Sequence, residues 1–200
     1  PNFIDIKKYS DVNRNPYKSK LCQEGERLII HTSNFRKVKR IQDVINVFCK
    51  INKEIPSKLI MIGDGPERAN IESLTRSLCS LKDVMFIGKI PDVENVLHKA
   101  DLFLLTSEKE SFGLSALEAM ASSVPVISSN AGGLPEIVKE GISGFTCEVG
   151  DINEMSKKAL EILDQKNIKN FKENAFKIAN KYDINIVLPE YIAFYKKILN

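Results

Sequence analysis

No stretch of this sequence holds the ~18 consecutive apolar residues that a membrane-crossing helix needs, and no charged-then-apolar leader opens it. The expected location is the cytoplasm. There is no initiator Met either; the chain begins abruptly at PNFIDIKKYS and reads as part of something longer. Charge of one sign is scarce: 29 Lys and Arg face 26 Asp and Glu, a formal +3 spread along the chain, which gives nucleic acid little support as a partner. The one dense basic run, FRKVKR at 35–40, reads by itself as a solvated loop leading into a helix. Cys22, Cys49, Cys79 and Cys147 lie far apart with no C-x-x-C pairing, and three of them sit among apolar neighbours as small core residues would. A reducing compartment follows. No D-x-D pair occurs, and neither His31 nor His98 has a partner at ligand spacing, so both histidines are expected to be structural and no metal is expected.

What is present is a core. With 200 residues and 43% apolar content, the chain suits one large domain with appendages. Short apolar, β-branched runs at 27–33, 58–63, 84–88, 102–107, 125–129 and 144–149 alternate with amphipathic stretches, in which Ile41, Val44, Ile45, Phe48 and Ile51 keep helical spacing. That alternation predicts an α/β fold: a Rossmann-like, doubly wound parallel sheet of about six strands with helices on both faces. Helices follow at 153–164, about 168–181 and about 185–199. Residues 1–20, polar with Pro1 and Pro16, read as a linker, and 21–182 as the domain proper. The apolar segment 183–200 is expected to be a helix that covers a neighbouring lobe. In such folds ligands lie beyond the carboxyl ends of the strands, where strand order reverses, so the loops after the strands carry the functional interest.

The most informative loop is SEKESFGLSALEAM. Good helix formers from Leu114 to Met120 predict a helix over 113–122, whose start exposes the N–H groups of Phe112, Gly113 and Leu114. Such a start seats an anion, and Gly113 is expected to let the backbone come close to it. Glu118 shares a helical face with Ser111 and Ser115 and could accept from a vicinal diol; Glu110, before the turn, could hold a different hydroxyl-bearing group. The plainer reading of the same residues is a dipole-favoured Glu110 and a solvated Glu118.

ESFGLSALEAMASSVPVISSNAGGLPEIVKEGISGF resembles the donor-domain signature of the family-four retaining glycosyltransferases of the GT-B fold, marked by a Glu, seven residues and a second Glu. LIMIGDGPER, VMFIGKIPDVENVLHKADLFLLTS, GFTCEVGD and the opening PNFID are similar as well, so the resemblance covers nearly the whole chain. It implies a metal-independent hexosyltransferase without a cofactor, using a nucleotide sugar as donor, with UDP the expected nucleotide. In that family an Arg and, five residues on, a Lys reach the donor's diphosphate. Here Lys39 fills the lysine position, Asn34 stands where the arginine usually is, and Arg36 is the available substitute. Fixed cations there stabilise the charge that grows on the leaving diphosphate. The resemblance thus makes Lys39, Arg36 and Glu110 the catalytic candidates, and Asn34, Gly63, Ile90, Ser111, Phe112, Gly113, Leu114 and Glu118 the donor-binding ones, with the backbone of Ile90 reading the base. Within the family, SNFRKVKRIQDVINVF looks most like enzymes that move N-acetylglucosamine from UDP to L-malate. A small-molecule acceptor would be bound mainly by an N-terminal lobe absent here, and the isolated chain is expected to transfer no sugar. A lipid or polysaccharide acceptor, an NAD-binding domain and a non-catalytic nucleotide-binding module remain open. The NAD reading is weak, because Gly63-Asp64-Gly65 follows the second strand and lacks the full G-x-G-x-x-G pattern.

Overall fold

The strand runs hold consecutive apolar residues at their centres because the sheet has no wet face. In the computed structural model, which describes residues 2–10, 21–78 and 81–199, Leu28 and Ile30 of β1 (Arg27–Thr32) point into one core and Ile29 into the other. Strands β2 (Ser57–Ile62), β3 (Val84–Gly88), β4 (Leu102–Leu105), β5 (Val126–Ser129) and β6 (Gly144–Cys147) complete a six-stranded, wholly parallel sheet in the order β3-β2-β1-β4-β5-β6. The period-2 alternation holds in β4, where Phe103 and Leu105 face one layer and Leu102 and Leu104 the other. Two helical layers cover the faces, as an α/β doubly wound fold requires.

One layer holds α2 (Ile41–Glu54), α3 (Arg68–Leu78) and α7 (Ile152–Leu163). In α2 the residues read as its apolar stripe, Ile41 to Ile51, are all buried. Asp151 caps α7 by accepting from the Glu154 N–H at 3.0 Å. The other layer holds α1 (Ile6–Ser10), α4 (Glu94–Leu97), α5 (Leu114–Ala121), α6 (Leu134–Ile137) and the Ala175–Ile178 side of α8 (Ile168–Ala179). The helix expected to run to 181 stops at Ala179 and tightens into a 3-10 turn, Asn180–Tyr182. After it comes α9 (Ile184–Leu199), of whose described residues Val187 alone is buried, while Ile192, Phe194, Tyr195 and Ile198 stand exposed.

The segment 2–10 is packed onto the domain. Ile4, Ile6 and Tyr9 are buried; the Ile4 N–H donates to the Tyr182 carbonyl and the Ile184 N–H to that of Ile4, each at 2.9 Å. Most of the expected linker, with Pro16, and Cys79 lie outside the described residues. Cys22 and Cys147 are buried, and burial pushes the Cys147 thiol up to about 11, which leaves it a poor nucleophile. Cys49 is disulfide-bonded, and spacing in sequence carries no information on which sulfurs the fold brings together. No helix of the described residues is long and apolar enough to cross a membrane.

Candidate functional site

Strand order reverses between β1 and β4, and the loops that follow these two strands meet above the sheet. Small polar side chains fasten them together. The Thr106 hydroxyl donates to the carbonyls of Lys39 and Arg40 at 3.2 and 3.0 Å, and the Glu108 N–H donates to the Val38 carbonyl at 2.8 Å. Arg40 turns the chain in the left-handed region, φ 46°, and starts α2 with its guanidinium on Asp43. Lys39 is thereby aimed across the switch point, and its ammonium donates to Glu110 Oε2 at 2.6 Å. The side chains are 19% and 15% exposed, so this pair is well screened from water. Ser107 Oγ donates to the same oxygen at 3.3 Å, and Ser129 holds the Ser107 carbonyl from behind. The result is a polar cavity of about 400 Å³ lined by Lys39, Glu108, Lys109, Glu110, Ser111 and Gly132.

The start of α5 follows in sequence directly on Ser111, which lines this cavity. Among the described residues no acceptor meets the N–H groups of Phe112, Gly113 and Leu114, as at the first turn of any helix. Gly113 is the N-cap with φ +92°, and a Cβ there would lie 2.5 Å from Leu134 Cδ2 and 3.2 Å from Ile137 Cδ1. Its glycine is therefore required by the turn and by packing against α6, a different reason from the close approach of an anion. Phe112 contributes backbone alone, since its ring is buried edge-on against Tyr182 at 5.7 Å. Ser111 and Leu114 are exposed.

Of the other residues singled out in the sequence, Glu118 lies one turn along α5, half-buried, and accepts from the Tyr9 hydroxyl. Burial holds its carboxyl above the ordinary range, against the pull of that hydrogen bond and of Lys8. Asn34 and Arg36 stand exposed on the β1 loop. Gly63 follows β2, its N–H donates to the Gly88 carbonyl at 2.8 Å, and it packs against the backbone of Ser33. Ile90, just past β3, rests its side chain on the core and is half-buried. Among the described residues no group of three or more His, Cys, Asp or Glu is placed to hold a metal ion.

Sequence reasoning passed over Tyr9, Thr106, Ser107 and Gly132. The Thr-Ser at the end of a strand pattern is a visible signal, because hydroxyls at carboxyl strand ends fasten loops; nothing local marks Tyr9 or tells Gly132 from its neighbour.

His31, as expected, is structural. It is fully buried; Nδ1 lies 2.8 Å from the Leu104 carbonyl, which can only accept, so Nδ1 carries the proton and Nε2 accepts from Ser33 Oγ at 2.8 Å. Burial, with a smaller push from Lys39, lowers its pKa to about 4. The unfolded chain, with an ordinary value near 6.5, binds the extra proton between about pH 6.5 and 4, so stability falls as pH falls through that window. Unfolding in urea should show about 2 kcal/mol lost between pH 7 and pH 5 that a His31→Gln variant does not lose.

The match with known proteins follows the same geometry. Residues 13–178 match the family described as glycosyl transferases group 1. The chain is 40% identical to N-acetyl-alpha-D-glucosaminyl L-malate synthase of Bacillus anthracis over 99% of its own length and 53% of that protein's. It is 29% identical to a glycogen synthase of Mycobacterium tuberculosis over 77% of the chain and 38% of the enzyme. Among solved structures, HepE of Anabaena in complex with UDP and glucose superposes at a TM-score of 0.84 with 24% identity, over 98% of this chain and 55% of that one. A glycosyltransferase from Rickettsia africae superposes at 0.88 with 22% identity, over 100% and 56%. The chain spans about half the length of the malate synthase that it matches. A cation and an acid paired across the switch point of a Rossmann-like sheet, beside an open helix start and under a family match across most of the sequence, together say that this chain belongs to the glycosyl transferases of group 1.

Proposed function

We propose that this chain is the donor-binding domain of a retaining, metal-independent glycosyltransferase that moves N-acetylglucosamine from UDP to L-malate. The observation that carries the donor part is the Lys39–Glu110 pair at the switch point, beside the unclaimed N–H groups of 112–114. In this reading the diphosphate sits on those N–H groups and draws the Lys39 ammonium onto itself, with Arg36 folding in from the exposed loop. Glu110, released from Lys39 but still held by Ser107, then accepts from hydroxyls of the hexose. As the bond from sugar to phosphate breaks, Lys39 and Arg36 stabilise charge on the departing UDP, and the acceptor hydroxyl enters on the face that UDP leaves. No protein nucleophile is assigned. The hexose and the acceptor rest on the likeness to the malate synthase.

The same reading gives the exposed Ile192, Phe194, Tyr195 and Ile198 row of α9 a covering N-terminal lobe, which also supplies the acceptor site. This chain alone is accordingly expected to bind donor and to transfer no sugar. Calorimetry with UDP, UDP-N-acetylglucosamine and NAD tests the donor assignment: the two uridine ligands should bind and NAD should not. Binding of NAD in place of UDP would overturn it. Glu118→Ala should weaken UDP and the sugar nucleotide alike by about tenfold, the worth of hydrogen bonds to one carboxylate. Glu110→Ala should weaken only the sugar nucleotide relative to UDP, since it also frees Lys39 for phosphate. Equal losses for both ligands in both variants would end this division of roles.

A further inference from the structure

Tyr9 lies in the packed entry segment, more than 100 positions before the Glu-x7-Glu signature, and yet its hydroxyl reaches the acid at the heart of that signature. The residue is 5% exposed, and its hydroxyl donates to Glu118. The segment that carries it is fixed on its other side: Ile4 is bracketed by backbone bonds to Tyr182 and Ile184, and the Ile6 N–H donates to Asp183 Oδ2 at 3.2 Å. The next residue back, Lys8, reaches the buried Glu94 at 3.5 Å, where Glu94 Oε2 has no hydrogen-bond partner. A carboxylate has about four acceptor positions, so one donated bond from Tyr9 leaves room for two more donors. It also favours one rotamer of the half-buried Glu118 side chain.

We propose that Tyr9 is a positioning residue for Glu118, holding its carboxylate in the orientation that accepts both hydroxyls of the donor's ribose. The inference rests on the assignment of Glu118 to a nucleotide diol made above, and adds the residue that makes that assignment geometrically specific. Tyr9 touches no ligand in this scheme and acts through Glu118. Its ring remains a core residue whatever the hydroxyl does, which makes Tyr9→Phe a clean removal of the hydrogen bond.

The test compares UDP with 2′,3′-dideoxy-UDP by calorimetry on the wild-type chain, Tyr9→Phe, Glu118→Gln and the double variant. Wild type should prefer UDP, and Tyr9→Phe should lose about fivefold to tenfold in UDP affinity with little change for the dideoxy ligand. Added to Glu118→Gln, Tyr9→Phe should cost nothing further, because its partner is already altered. Equal losses for both ligands, or full additivity in the double variant, would show a merely structural tyrosine and overturn the proposal. A wild type that does not distinguish the two ligands would overturn the diol assignment itself, and this inference with it. The pH profile gives a second readout. Glu118 is faced by Tyr9 and Lys8 from α1 and by Glu94 from α4, with Asp5 close to Tyr9. Binding needs the ionised carboxylate, so UDP affinity falls as pH falls through its pKa; without the Tyr9 donor that pKa rises, and the loss should begin at higher pH in Tyr9→Phe. An unmoved acid limb would count against the role.

Discussion

Lys39→Ala is expected to weaken UDP by about 30-fold to 1,000-fold, corresponding to roughly 2–4 kcal/mol. The loss has two parts. The phosphate forfeits a cation, and Glu110, whose carboxylate now lies 2.6 Å from the ammonium and is 15% exposed, is left charged and facing the anion. Ser107 is the remaining donor to that oxygen and cannot neutralise it. If the second part is real, adding Glu110→Gln to Lys39→Ala must return a share of the UDP affinity, since the amide carries no charge. Calorimetry of the single and double variants decides it. Unchanged UDP affinity in Lys39→Ala would remove the phosphate assignment, and a double variant no better than the single one would remove the coupling. Arg36→Ala should cost less, because its side chain starts exposed on the loop and must be ordered to act.

Gly132→Ala is expected to lose UDP binding and about 3 kcal/mol or more of stability, the scale of a forced core rearrangement. Gly132 has φ +55°, and a Cβ there would lie 1.6 Å from the Glu110 carbonyl oxygen and 2.8 Å from its carbon. Neither side can yield cheaply. The Gly133 N–H donates to that same carbonyl, Leu134 next to it is fully buried, and the Asn130 N–H is bonded to Cys147 at 2.8 Å. Any relief must push the backbone of Glu110 and Ser111 away from Lys39, so fold and site fail together. Gly25→Ala provides the control: it shares a positive φ, +87°, but has nothing within 4 Å of the added carbon. It should cost only about 1–2 kcal/mol of backbone strain and leave UDP binding intact. Urea unfolding and UDP titration of the two variants separate steric clash from strain. A Gly132→Ala protein that binds UDP like wild type would show that this loop does not shape the cavity.

The fold was legible because its information is local. Unbroken apolar runs such as LII in the first strand and LIMI in the second mean strands buried on both faces, and the stripe from Ile41 to Ile51 means a helix lying on one of them. The loop after the fourth strand run brought Glu110 and Glu118 to attention, since loops at carboxyl strand ends are where such a sheet binds ligands, and the resemblance to the family added Lys39. The pairing of these residues was not legible. Lys39 and Glu110 meet, 71 positions apart, only because β4 docks beside β1, and strand order is a property of the assembled sheet. Gly113 was singled out for room beside an anion, while the fold gives the turn and Leu134 as further reasons for glycine, and which helix packs there is not written in the local sequence. Cys49 and Tyr9 show the same limit: a disulfide and a hydrogen bond to Glu118 depend on distances that no spacing encodes. By itself, then, the sequence determined which elements form and which loops carry charge and glycine, through periodicity and composition. Tertiary structure alone decided which cation faces which acid, because that depends on the order in which the strands lie side by side.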